Sequence, residues 1–298
     1  MALPSLDLLE SSGHELVAVV TRPDAARGRS KSPVPSPVAA WAAAHGVETL
    51  KPPTASDPGF LDRLRELAPE ACPVVAYGNL LTQAVLDVPR YGWVNLHFSL
   101  LPRWRGAAPA QRTIIAGDAV AGASTFRVVK PLDAGPLYRT LVRPLTGAET
   151  AGELLTALSA SGAQLLLDTI ADLPTVTPTD QATDGLTLAP KLTVEEAHLD
   201  WTRDGLELER LIRGCSPEPM AWTTLRGDRV NVALARPLDS HELAPGALRV
   251  EKRRVLVGTG TVDLELLRVQ PQGKKEMAAA DWGRGLHADT AAFEPKDA

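Results

Sequence analysis

Short apolar runs of strand length alternate with stretches of helical spacing through the first half of this chain, and the alternation outlines a fold. Leu6 to Leu9 reads as the end of an amphipathic helix closed by Ser12-Gly13, with glycine as the natural stop. Leu16-Val17-Ala18-Val19-Val20 then predicts a buried strand. Helices are expected over Val38 to His45, Gly59 to Leu67 and Leu81 to Leu86, interleaved with strands at Glu48 to Leu50, around Val74, and around Val94. A helix at Pro109 to Ala116, strands at Ser124 to Val129 and Leu137 to Pro144, and a long helix at Thr150 to Leu173 complete the series. Repeated βα alternation implies an α/β fold, a Rossmann-like, mostly parallel sheet covered by helices on both faces.

The pattern changes at Pro174-Thr175-Val176-Thr177-Pro178-Thr179-Asp180, which is rich in Pro and Thr and lacks periodic apolar residues. Such a stretch reads as a linker or extended loop. Beyond it come a helical segment at Gly205 to Arg213 and short alternating segments at Trp222 to Leu225, Arg229 to Ala233, Ala247 to Val250, Arg254 to Val257 and Val262 to Leu267. Several short strands separated by turn residues predict a small β-barrel. The expected division is a catalytic domain over 1–173, a linker over 174–204 and a C-terminal domain over 205–298.

Composition narrows the class without naming a function. At 298 residues, 44% hydrophobic and 22% charged, the chain has ordinary globular composition. No apolar run of bilayer-spanning length is expected, and Met1-Ala2-Leu3-Pro4-Ser5 lacks the basic start and apolar core of a secretory signal. Cys72 and Cys215 lie far apart with no metal-type spacing, so neither a disulfide framework nor a metal site is expected, and the cytoplasm is the natural compartment. Net charge is −5; residues 201–298 carry 15 basic and 15 acidic residues, so the excess acid lies in the first 200. Total charge therefore says little about nucleic acid, and clustering of basic residues decides. Arg27, Arg29 and Lys31 crowd a Pro- and Ser-rich loop after the early strand, and Lys274 and Lys275 lie in the last third.

Candidate chemistry concentrates at Asn95-Leu96-His97-Phe98-Ser99-Leu100-Leu101-Pro102. Asn95 and His97 arrive where a buried strand reaches its carboxyl end, the edge at which open α/β sheets hold ligands. Two residues apart in an extended segment, they share one face. An amide donor beside an imidazole suits a site that holds a carbonyl oxygen as it becomes an oxyanion and also manages a proton. Taken alone, His97 is as readily a structural histidine, Asp133 a turn cap before Gly135, and Asn95 a backbone-bonding loop residue.

With Arg105-Gly106-Ala107-Ala108-Pro109 following and Leu132-Asp133-x-Gly135 further on, this stretch resembles the folate-dependent formyltransferases. The proline-bounded basic loop, Pro219-Met220-Ala221-Trp222 and Gly273-Lys274-Lys275 resemble the tRNA-directed branch of that family. The resemblance implies a formyltransferase fold followed by an OB-like barrel. It implies Asn95, His97 and Asp133 as catalytic residues and Ser99, Leu100, Leu101 and Pro102 lining the folate pocket. It implies Arg27, Arg29, Lys31, Lys274 and Lys275 as contacts to RNA. The implied reaction carries a formyl group from 10-formyltetrahydrofolate to methionyl initiator tRNA, without metal or membrane, by a monomer. A small-molecule amine formyltransferase, a formyl hydrolase or a non-catalytic RNA-binding remnant are the alternatives. Members of the family begin with a hydrophobic strand and a Gly-Thr-Pro turn before their first helix, whereas this chain starts at that helix. The expectation is a sheet lacking its first, central strand, and neighbours left with unpaired backbone groups.

Overall fold

The computed structural model describes residues 1–26, 32–286 and 292–296. It divides into two units: Met1–Pro109, Val120–Arg143 and Leu155–Ala189 form the first, and Ala110–Ala119, Pro144–Leu154 and Pro190–Ala298 the second. Residues 174–189 thus belong to the first unit and 190–204 to the second.

In chain order the first unit starts with α1 (Leu3–Glu10), β1 (Val19–Val20), the hairpin strands β2 (Ala25–Ala26) and β3 (Pro33–Val34), and α2 (Pro37–Ala44). These are followed by β4 (Thr49–Leu50), α3 (Pro58–Leu67), β5 (Cys72–Val75), α4 (Gln83–Leu86) and β6 (Trp93–His97). After α5 (Pro109–Ala116), which past Pro109 belongs to the second unit, come β7 (Val120–Arg127), β8 (Leu137–Pro144) and the long α6 (Ala151–Asp172), which belongs to the first unit from Leu155 on. Local chemistry starts the helices. Ser36 accepts the Ala39 N–H ahead of Pro37, and Asp57 accepts the Phe60 N–H at 2.8 Å ahead of Pro58, so each satisfies an otherwise orphaned donor of a first turn.

The sheet comes in two parts. Strands β1 and β4 pair in parallel through Val19↔Thr49 and Val20↔Leu50, and β5-β6-β7-β8 form a second sheet with β5 parallel and β7 antiparallel to β6. Among the described residues β1 and β5 do not pair with each other. Both parts share one apolar layer: Val20 and Leu50 pack with Val74 against Phe60, Leu64, Val85 and Trp93. The expected strand over Leu16 to Val20 is correspondingly short. Its partner β4 offers only two residues, and Val17, with 36% exposure, lies outside the ladder.

Helix α6 corrects one expectation, since by length and composition it could cross a membrane. Its apolar side has another use. Leu158 and Leu166 are fully buried, Gly162 makes room for Leu96 of β6, and Thr169 shares a 2.8 Å hydrogen bond with Thr125 of β7. These are the contacts of a helix covering a sheet.

The second unit holds α7 (Gly205–Cys215) and a curled antiparallel sheet of β9 (Ala221–Leu225), β10 (Asp228–Pro237), β11 (Leu248–Val250), β12 (Val255–Val257) and β13 (Leu264–Pro271). Strand β14 (Met277–Ala278) pairs with β13 and leads into α8 (Ala279–Gly283). The register of β10 against β13 shifts between Val232 and Leu234, an irregularity that bends a strand and lets a sheet curl. Leu208, Ile212, Val232, Val257 and Leu264 are buried in its core.

Candidate functional site

Strand β6 delivers the two polar residues as its alternation requires. Val94 and Leu96 are buried on one face, and Asn95 and His97 follow on the other, paired across to Phe126 and Ser124 of β7. Past His97 the chain turns through Ser99 to Pro102 and is pinned to β7. The Ser124 hydroxyl donates to the Ser99 carbonyl at 2.7 Å and accepts the Leu101 N–H at 3.2 Å. Gly122 of β7 leaves space for Leu100, whose side chain lies 2.5 Å from where a Cβ would sit. Ser99 and Leu101 are themselves buried, and the Ser99 hydroxyl donates to the Arg103 carbonyl at 2.6 Å. Those two side chains anchor the loop, while Leu100 and Pro102 are half-buried.

Asp133 is brought to His97 across the 36 residues that separate them, by the turn between β7 and β8. Its Oδ2 lies 3.9 Å from His97 Nδ1 and accepts the Gly106 N–H at 2.8 Å. Asp133 is held at φ 48°, a left-handed conformation that a short polar side chain tolerates. Gly135 closes the same turn against β7: an added Cβ would lie 1.7 Å from the Arg127 carbonyl oxygen.

His97 is 5% exposed, and its Nε2 lies 2.8 Å from the Trp104 carbonyl. A carbonyl only accepts, so Nε2 carries the proton and Nδ1 presents its lone pair toward Asp133. Burial pushes the His97 pKa below its ordinary value, a trend that Asp133 and the Trp104 carbonyl oppose without reversing. Phe126 closes the far side edge-on, with ring centroids 6.3 Å apart. Asn95 is half-buried, and its amide has no hydrogen-bond partner among the described residues.

One consequence is a pH profile. If the neutral imidazole is the working form, a lowered pKa keeps it neutral to more acid pH, so activity should persist through pH 6.5 and be lost only at distinctly more acid pH. An acid limb in kcat/KM at or above the ordinary histidine value would contradict the neutral, desolvated imidazole.

The expected RNA contacts separate. Lys274 and Lys275 are exposed in the turn between β13 and β14, whereas Arg27, Arg29 and Lys31 lie outside the described residues. The spacing of motif residues gave no sign of Trp104. It serves through its backbone carbonyl, at φ 64°, which leaves no trace in side-chain pattern.

Residues 4–170 match the formyl transferase family and residues 191–287 match the formyl transferase C-terminal domain. The chain is 56% identical over 288 residues to the methionyl-tRNA formyltransferase of Thermobifida fusca, spanning 96% of this chain and 93% of that protein. It is 54% identical over 289 residues to the methionyl-tRNA formyltransferase of Streptomyces coelicolor, with the same coverage. The chain belongs to the methionyl-tRNA formyltransferase family. It is therefore an enzyme of formyl transfer, in a family that uses folate derivatives. The crystal structure of WlaRD, a sugar 3N-formyl transferase in the presence of dTDP and 5-N-formyl-THF, covers 92% of this chain and 95% of its own at 12% identity. Its TM-score of 0.65 shows the shared fold. Within this family the approach of Asp133 to His97, with Asn95 on the same face of β6, marks the candidate site.

Proposed function

We propose that this protein transfers the formyl group of 10-formyltetrahydrofolate to the α-amino group of methionine esterified to initiator tRNA, in the cytoplasm. The observation that carries the reading is the juxtaposition of an unpartnered Asn95 amide with a buried histidine whose free nitrogen faces a carboxylate.

The amine nitrogen attacks the formyl carbon, and the carbonyl oxygen gains negative charge. Asn95 donates an amide N–H to that oxygen, an interaction worth a few kcal/mol of barrier in a water-poor, preorganised site. Nδ1 of neutral His97 takes the proton that the amine sheds, and Asp133 steadies the resulting imidazolium. With Nε2 already committed to Trp104, His97 can donate to the formyl oxygen only in that charged form, through Nδ1. The carbon–N10 bond then breaks, and the same proton passes to the leaving tetrahydrofolate nitrogen. Leu100 and Pro102, with the backbone of their loop, are the groups left to contact the folate. The curled sheet of the second unit and its exposed Lys274 and Lys275 support an RNA acceptor, since lysines bind phosphates without reading sequence.

The test offers the purified protein three acceptors with 10-formyltetrahydrofolate: methionyl initiator tRNA, uncharged tRNA and a sugar-nucleotide amine. Formyl transfer confined to methionyl-tRNA is expected, and preference for the small amine overturns the reading. Replacing Arg27, Arg29, Lys31, Lys274 and Lys275 by glutamine should weaken tRNA binding and flatten its dependence on salt, by roughly 0.9 in logarithmic slope for each phosphate that is no longer neutralised. Folate affinity should change less than about twofold, because folate is not held by counterion release.

A further inference from the structure

The segment around Gln181 reads in sequence as a linker, yet the Gln181 side chain makes four hydrogen bonds to two loops of the candidate site. Its Nε2 donates to the Asp133 carbonyl and to the Gly135 carbonyl, both at 2.8 Å. Its Oε1 accepts from Arg105 Nε at 3.0 Å and from Arg105 Nη2 at 2.7 Å. One carboxamide thus spends both donor hydrogens on the turn that carries Asp133, and both acceptor positions on the loop that carries Trp104 and Gly106.

The backbone that follows braces the same loop. Trp104 N–H donates to Thr187 Oγ1 at 2.9 Å, Arg105 N–H to the Thr187 carbonyl at 2.9 Å, and Ala189 N–H to the Arg105 carbonyl at 2.7 Å. At Gly106 the approach is too close for any side chain, with the Ala189 carbonyl 2.6 Å from an added Cβ. Residues 181–189 therefore run along the 104–106 loop, and Gln181 extends from them to the Asp133 turn.

The two loops it joins are those that define the catalytic spacing. Trp104 fixes the His97 ring through Nε2, and Asp133 faces the ring's other nitrogen at 3.9 Å while holding Gly106. We infer that Gln181 is a positioning residue: by clamping the Asp133 turn to the Arg105 loop it sets the separation of the Asp133 carboxylate from His97 Nδ1. The inference rests on the proposed roles of His97 and Asp133 in formyl transfer. Misplacement by about 1 Å can cost a reaction about 100-fold, so a residue that touches no reacting atom can still control turnover.

Two variants separate a spacer from a mere anchor. Gln181→Glu keeps both Arg105 bonds, now charge-assisted, and loses both donors to the Asp133 turn. Gln181→Met keeps comparable volume and loses all four bonds. Both should lower kcat by about 10- to 100-fold, with the KM for 10-formyltetrahydrofolate and the thermal midpoint close to those of the unaltered protein. The glutamate variant should also move the acid limb of the pH profile upward, since a second carboxylate beside the Asp133 turn favours the imidazolium; the methionine variant should leave the limb in place. Restoration of full kcat by glutamate would mean that anchoring Arg105 is the whole role, and would overturn the inference. So would undiminished kcat in the methionine variant, or unfolding of both variants. The unaltered protein assayed alongside keeps the two readings apart. If it fails to formylate methionyl-tRNA the proposed function falls, whereas normal transfer by it and by both variants removes only Gln181.

Discussion

Replacing His97 by alanine is expected to lower the turnover of formyl transfer by about 100-fold or more, a barrier increase of at least about 2.7 kcal/mol. The size follows from what His97 holds together. Its Nε2 is spent on the Trp104 carbonyl, so Nδ1 is the one ring nitrogen left to receive the amine's proton, and the site has no spare base on the same strand face. Asp133→Asn should fall in the same range, because asparagine can still accept the Gly106 N–H at the Oδ2 position but carries no charge to stabilise an imidazolium. Equilibrium unfolding of both variants in parallel with turnover checks the assignment. A loss of stability with turnover preserved would make these residues structural.

The second large effect is expected at Gly135. An alanine there places its Cβ 1.7 Å from the Arg127 carbonyl oxygen and 3.4 Å from Phe126 Cδ2. Neither neighbour is a flexible chain end: Arg127 is the last residue of β7, and Phe126 is 1% exposed. The turn must lift off the strand, giving up the 2.9 Å bond from the Arg127 N–H to the Pro136 carbonyl. Overpacking of this kind costs about 3 kcal/mol. Because Asp133 rides on the same turn, residual activity should fall further than residual fold. Gly13→Ala is the comparison: nothing lies within 4 Å of its added Cβ, so its unfolding free energy from chemical denaturation should move by less than about 0.5 kcal/mol. Equal unfolding free energies for the two alanine variants would contradict the close approach at Gly135.

Much of this architecture was legible from the residues. Burial leaves a periodic trace, so α5 and β8 fall on the expected bounds, and α3 and α7 begin or end within a few residues of them. Asn95 and His97 were readable because a polar pair interrupting a buried strand is chemically expensive unless used. Asp133 was singled out through the family resemblance alone, since Asp133-Ala134-Gly135 taken by itself reads as a turn. The short pairing of β1 was not, since an apolar run reports what could be buried and not how many partners β4 offers. Trp104 was invisible because its part is played by a backbone carbonyl. Gln181 was hidden for a different reason: a single carboxamide in a Pro- and Thr-rich stretch has no periodicity, and its partners lie 46 to 76 residues away in sequence. Hydrogen bonds of that reach are set by the fold and leave no local pattern.

The central claim is that His97 and Asp133 act as one proton-handling unit on the reacting amine. A double-mutant cycle in single-turnover formyl transfer to methionyl-tRNA, comparing His97→Ala, Asp133→Asn and the double variant with the unaltered protein, measures it most directly. If the account holds, the double variant is no slower than His97→Ala alone, because a carboxylate that serves only the imidazole has nothing left to do once the ring is gone. Losses that multiply, with the double variant slower by the product of the two single effects, would mean that the residues act separately and would contradict the account.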